Sequence, residues 1–206
     1  MKIITVSREF GSGGRELGKR LADAFGFSYY DKEIITEIAK KTELDENYVS
    51  SVVENGVSAF PIHIGQTFAY MPYTYQPSVD VLVAQQKIIT EIGKKGNCVI
   101  IGRSANSILD KFSPFNIFVY ASEKSKLARC RQNARESEIL SDKELIRKMR
   151  GIDRNRLRTS ALISERKWGD KSSYDLMINT SDIEIKSIIQ PLKEYIEKYF
   201  ENFPEK

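Results

Sequence analysis

Residues 3–21 read Ile3-Ile-Thr-Val-Ser-Arg8-Glu-Phe-Gly11-Ser-Gly13-Gly-Arg15-Glu-Leu-Gly-Lys-Arg-Leu21. The β-branched run Ile3, Ile4 and Val6 predicts a short buried strand, and Leu17 and Leu21, one helical turn apart, predict a helix behind it. Between them Gly11, Gly13 and Gly14 let the backbone turn and approach a ligand. A helix opening on such a turn directs unpaired N–H groups and its positive dipole end at an anion. The stretch has the shape of a phosphate-binding loop.

It departs from the standard loop signature, Gly-x-x-x-x-Gly-Lys-Ser/Thr. With Gly13 as the second glycine, Arg8 stands in the first glycine's place, Gly14 in the lysine's and Arg15 in the hydroxyl's. Shifted by one, Arg15 takes the lysine's place, but Glu9 replaces the first glycine and Glu16 the metal-binding hydroxyl. The point charge that the lysine normally brings is therefore expected from Arg15 or Arg8. A magnesium ion, expected with any nucleoside triphosphate, would draw on Ser12, Glu16 or bound water.

Outward from this loop, strands and helices alternate. Phe27–Asp31 predicts a short aromatic strand ending in a carboxylate, followed by helices over 31–41 and 45–54. Residues 56–78 are punctuated by Gly56, Pro61, Gly65, Pro72 and Pro77 and rich in Phe and Tyr, a long loop of the kind that usually carries function. A helix over 79–95, a buried strand 97–101, a strand 116–120, helices near 123–136 and 141–159, a strand 175–179 and a terminal amphipathic helix 182–200 complete the pattern. Such alternation predicts an α/β fold, a parallel sheet flanked by helices, with ligands bound beyond the carboxyl ends of the strands.

The 206 residues, 41% hydrophobic and 29% charged, suit one domain spanning 1–206 and argue against a disordered chain. The net charge of +4, from 32 basic and 28 acidic residues, is too small to require nucleic acid as a partner. A basic stripe does run through 147–158, where Arg147, Lys148, Arg150, Arg154, Arg156 and Arg158 face one acid, Asp153. Cys98 and Cys130 have no ligand spacing and are expected to be reduced and structural. His63, the one histidine, has no spaced ligand partners. No apolar run reaches the ~20 residues of a membrane span and no leader segment is recognisable, so no membrane partner and a cytoplasmic location are expected.

Five blocks in order, Thr5–Leu17, Tyr30-Asp-Lys-Glu-Ile34, Val99-Ile-Ile-Gly-Arg103, Ile152-Asp-Arg-Asn-Arg156, and Trp168-Gly-Asp170 with Tyr174–Thr180, make the chain resemble the cytidylate kinase-like family. That family lies among the nucleoside monophosphate kinases of the P-loop NTPases. The resemblance covers nearly the whole chain and implies a core sheet, an acceptor-binding insertion near 31–85 and a short arginine-bearing lid near 134–158. It implies ATP with Mg2+ as donor and CMP or dCMP as acceptor. The loop lysine and hydroxyl of cytidylate kinases are absent.

For phosphoryl transfer, positioning and charge neutralisation supply most of the catalysis. Arg8, Gly11, Ser12, Gly13, Gly14, Arg15 and Glu16 would hold the donor phosphates, and Asn179, Thr180 and Ser181 lie where related kinases surround the donor base. Asn179–Ser181 equally suit a helix cap before Asp182. Asp31 matches the carboxylate that opens the acceptor segment, or simply caps the next helix. Arg103, directly after a buried strand, would clamp the acceptor phosphate by resemblance. Asp153 and Arg156 match the family's lid aspartate and arginine, with Arg154 beside them and Arg150 and Arg158 as further acceptor contacts. The stripe also suits a solvated helix face.

Three function classes follow. One is a kinase passing the γ-phosphoryl of ATP to a nucleoside monophosphate or another small phosphorylated acceptor. A second is a nucleotide-binding module with weakened catalysis. A third is a nucleic-acid binder using the basic stripe, which lacks any recognised motif. The aromatic segment 56–78, with Phe68, Tyr70, Tyr73 and Tyr75, is expected to line a specificity pocket, mediate an oligomer or form a satellite core.

Overall fold

The computed structural model describes residues 1–55, 77–133 and 140–202. The expectations for Phe68, Tyr70, Tyr73, Tyr75 and His63, and for the start of the lid at 134–139, lie outside the described residues.

Five strands form one parallel sheet in the order β2-β3-β1-β4-β5. They are β1 (Ile3–Arg8), β2 (Ser28–Tyr30), β3 (Cys98–Ile101), β4 (Phe115–Tyr120) and β5 (Leu176–Asn179). β1 runs two residues past the apolar run that predicts it, because Ser7 and Arg8 pair with Phe118 and Val119 of β4. That extension carries Arg8 to the carboxyl edge of the central strand.

Alternation along β1 assigns each face of the sheet its own helices. Ile4 and Val6 pack with Leu17 and Leu21 of α1 (Gly14–Phe25) and with Ile196 of α8 (Ile189–Asn202). Ile3 packs on the other face with α2 (Glu33–Thr42), α3 (Glu46–Asn55) and α4 (Pro77–Lys95), through Ile34, Ile38, Val49, Val81 and Ile89. The short α5 (Ala105–Ile108) follows β3, and α6 (Glu123–Gln132) and α7 (Asp142–Ile163) follow β4.

α7 starts on a capping box in which the Ser141 hydroxyl accepts from the Glu144 N–H and the Glu144 carboxylate accepts from the Ser141 N–H. It continues four residues beyond the expected end, carried by the buried Thr159 and Ser160. The terminal helix begins later than expected. A 3-10 turn, Ile185–Ile188, comes first and buries Ile185 against the phosphate loop, where a Cβ on Gly13 would overlap its Cδ1.

Candidate functional site

The loop Glu9–Gly13 leaves β1 at the centre of the sheet and enters α1 through Gly13, at φ 80°. Only glycine takes that conformation without strain. No side chain caps α1, so its first N–H groups are held for something other than the protein. The loop is fixed from beneath. Ser12 is fully buried, its hydroxyl donating to the Glu9 carbonyl at 2.9 Å. Its own carbonyl accepts from the Thr180 hydroxyl at 2.7 Å and from Arg129 at 3.4 Å. Arg129 reaches on to the Thr180 carbonyl. Thr180 therefore braces the loop, and the neighbouring Asn179 carboxamide accepts from the Ser181 N–H and hydroxyl.

Two cavities open on either side of Arg8. One, of about 840 Å³, lies over the glycine loop between Tyr29 and the α6–α7 side, with Gly11, Gly13, Arg129 and Lys148 in its walls. The other, of about 290 Å³, lies towards β3 and α4, with Lys32, Gln85, Arg103, Thr159 and Trp168 in its walls. Arg8, Phe10, Arg15 and Arg156 line both. Three guanidinium groups thus stand where the two spaces meet.

Arg8 is the centre of this wall. A Cβ on Gly14 would lie 2.5 Å from the Arg8 Cβ, and one on Gly102 would overlap the Arg8 guanidinium. Gly14, which stands at the lysine position when Gly13 is the second glycine, has no room for a side chain beside the Arg8 Cβ. The Arg8 pKa is pushed down to about 9, first by burial and then by the Arg156 charge, with Asp31 opposing. Asp31, 3% exposed at the end of β2, pairs with Arg15 Nε at 2.5 Å and stands 3.9 Å from Arg8 Nη2. It is not the helix cap, since α2 starts from Lys32 and the Asp31 N–H donates to Glu33 at 3.0 Å. With Arg103 and Arg156 also acting on Arg8, the excess charge is positive, a setting completed by an anion.

The stripe on α7 divides. Asp153 and Arg156 face inward: the Asp153 carboxylate accepts from the Phe10 N–H at 2.8 Å and from Arg156 Nη1 at 3.0 Å. Burial raises the Asp153 pKa in spite of both. Arg156 also donates to the Arg8 carbonyl at 3.0 Å. Arg154 and Arg158 are exposed, and Arg150 pairs with Glu123 at 2.9 Å. Arg103 follows Gly102 in the wall of the smaller cavity, with positive φ at Gly102, Arg103 and Ser104 in succession. Left-handed non-glycine residues carry strain that clusters at functional sites.

Several contributors were not anticipated. Glu9 accepts from Lys126 at 2.9 Å, and Phe10 and Lys32 line the smaller cavity. Gln85 donates to the strained Arg103 carbonyl at 3.2 Å. A signal for Gln85 was present in the sequence: it lies four residues from both Val81 and Ile89, a polar group in the apolar stripe of α4. Trp168 and Tyr174 pack on Phe118, at centroid distances of 5.1 and 4.9 Å.

The glycine turn, the uncapped helix and the guanidinium wall fit a nucleoside polyphosphate. A magnesium ion held by protein side chains fits less well. The Ser12 hydroxyl is turned inward, Glu16 pairs with Arg20 at 2.8 Å, and the described residues contain no cluster of three or more His, Cys, Asp or Glu side chains suited to a metal. No helix among the described residues is long and apolar enough to cross a membrane.

The family model described as the cytidylate kinase-like family matches residues 3–182. A cytidylate kinase from Staphylothermus marinus is 24% identical over 97% of this chain and 98% of its own. Among solved structures, an uncharacterized protein from Eubacterium ventriosum gives a TM-score of 0.70 at 24% identity, covering 96% of this chain and 99% of that one. Shikimate kinase from Bacteroides thetaiotaomicron gives 0.57 at 16% identity, covering 95% and 98%. These likenesses show the fold, a parallel sheet flanked by helices, shared over nearly the whole of each chain.

Proposed function

Because the chain belongs to the cytidylate kinase-like family, we propose that it transfers the γ-phosphoryl group of ATP to a nucleoside monophosphate, with CMP or dCMP as the acceptor. The observation that carries this reading is the pair of cavities sharing the Arg8, Arg15 and Arg156 wall. Donor phosphates enter over the glycine loop, the acceptor phosphate enters beside Arg103 and Lys32, and the transferring group passes along the shared wall. An oxygen of the acceptor phosphate bonds to the γ-phosphorus as the bond to the β–γ bridging oxygen breaks. ADP leaves with that electron pair.

The acceptor-side cavity favours a phosphate acceptor over an alcohol. An alcohol needs a base to take its proton, whereas a phosphate oxygen is already ionised at neutral pH. None of the described residues lining that cavity is Asp or Glu, and the nearby Asp31 carboxylate is committed to Arg15. Guanidinium groups instead spread the charge of two approaching polyanions. Their rigid forks match phosphate oxygens.

Donor binding uses Gly11–Arg15 backbone groups with Arg8 and Arg15 as cations. Asp153 positions Arg156, while Ser12 and Thr180 hold the loop's shape. The metal arrives as part of the nucleotide complex and needs no dedicated protein ligand. Measuring acceptor-dependent ADP release against a panel of nucleoside monophosphates tests the proposal. A nucleotide-binding module with weakened catalysis is the second reading, favoured by Gly14 in the lysine position; it requires ATP binding without turnover.

A further inference from the structure

Polar atoms left unpartnered inside a folded protein are uncommon, and each calls for an explanation. Among the described residues, Gln85 Oε1 and Thr159 Oγ1 are buried without a hydrogen-bond partner, and both side chains belong to the wall of the acceptor-side cavity. Gln85 is fully buried and Thr159 8% exposed. They sit on different elements, α4 and α7, and face one space with Arg103 and Lys32.

The orientation of the Gln85 amide is fixed. Its Nε2 donates to the Arg103 carbonyl at 3.2 Å, and a carbonyl can only accept. Turning the amide over would set Oε1 against that carbonyl and remove the restraint on a residue held at φ 61°. Gln85 therefore presents Oε1 as its unpartnered atom, an acceptor. The cavity asks for an anionic group at its cationic side and for a hydrogen-bond donor at Gln85.

We propose that Gln85 is the specificity residue for the acceptor, its locked Oε1 selecting an amino-bearing base over the keto analogue, with the Thr159 hydroxyl as a second polar contact. This rests on the monophosphate kinase reading above and deepens it. Cytosine and uracil present the sharpest contrast, because they differ at ring position 4 in an amino group against a carbonyl. Uracil would set its carbonyl oxygen against Oε1, two acceptors facing each other. A site built around a buried hydrogen bond rejects strongly the analogue that leaves the bond unmade.

The test is calorimetric titration of CMP and UMP into the wild-type protein, Gln85→Met and Gln85→Glu, with turnover of both acceptors measured alongside. The wild type is expected to bind CMP at least about 10-fold more tightly than UMP. Gln85→Glu keeps an acceptor oxygen but sets its second oxygen against the Arg103 carbonyl, so it is expected to weaken both nucleotides while CMP stays the tighter of the two. Gln85→Met is expected to bring the two within about 2-fold by weakening CMP. A residue that merely braced Arg103 would weaken both nucleotides equally and leave their ratio unchanged. Equal wild-type affinities for CMP and UMP, or an unchanged ratio in Gln85→Met, overturns this inference and leaves the kinase reading standing. Binding of neither nucleotide overturns both. Equal wild-type affinities overturn the inference even where a variant fails to fold, and Gln85→Leu replaces Gln85→Met if that variant does not fold.

Discussion

Nη1 of Arg156 donates to the main-chain carbonyl of Arg8 at 3.0 Å, fastening α7 to the last residue of the central strand. The same nitrogen lies 3.0 Å from Asp153 Oδ1, which in turn accepts from the Phe10 N–H. Arg156 is thereby held by the strand that starts the phosphate loop. Arg156→Ala is expected to lower kcat by about 10²–10³-fold, the effect of removing one preorganised charge donor, with a much smaller change in ATP affinity. Steady-state kinetics with direct ATP titration measures both.

Asp153→Ala would leave the part-buried Phe10 N–H without its acceptor and Arg156 without its carboxylate. We expect a loss of about 2–3 kcal/mol, seen as a melting point lower by roughly 5–10 °C. Asp153→Asn keeps an acceptor oxygen for Phe10 and is expected to fall well short of that loss. Equal melting points for the two variants would contradict the bridging role.

Arg8 and Gly14 pack against each other across the loop, and in the proposed reading Arg8 at the strand end supplies the cation that a standard loop carries at the helix start. Gly14→Lys alone is expected to destabilise the protein, because its Cβ would meet the Arg8 Cβ at 2.5 Å. Arg8→Gly alone is expected to weaken ATP binding by 10-fold or more, about the loss of one charge-assisted hydrogen bond. Arg8→Gly with Gly14→Lys recreates the standard spacing and is expected to recover binding, a coupling that a double-mutant cycle reads directly. Additive losses would show that the two positions are independent.

Much of this was legible in the chain. The β-branched runs, glycine turn and helix periods located the sheet and its flanking helices, because those signals arise from local backbone preference and burial. The inward-facing Asp153 and Arg156 were legible through resemblance, whereas their neighbours Arg154 and Arg158 turned out to lie on the exposed side of α7. The placement of the Arg8 side chain was not legible. That depends on Gly14 and Gly102 leaving room for Arg8, a contact between β1, α1 and β3 that no spacing rule encodes. Thr180, expected near a base, is buried beneath the loop for the same reason: its partner Ser12 is 168 residues away in sequence.

The pH dependence of donor binding follows from Arg8, whose pKa of about 9 reflects burial and the Arg156 charge. The group is cationic below that value and loses its proton above it. Affinity for ADP is therefore expected to hold steady between about pH 7 and 8 and to fall as pH rises through 9. In the empty protein the depressed value means that carrying the cation opposes folding below pH 9. A bound polyanion offsets this, and at 100 times its Kd it should add about 2.7 kcal/mol of stability. ADP titrations from pH 7 to 10 check the first point, and an affinity that is flat across that range would contradict it.

Arg103→Ala is expected to weaken acceptor binding by 10-fold or more while leaving ATP binding within about 2-fold, since Arg103 lines only the acceptor-side cavity. Separate titrations of CMP and ATP make the comparison. Equal loss of both would contradict the assignment of two sites.

The most direct test of the account is ATP consumption with magnesium against a panel of nucleoside monophosphates, with ATP binding measured on the same sample. The account predicts ADP release that depends on the acceptor and is greatest with CMP or dCMP. Tight ATP binding with no turnover on any acceptor would contradict it.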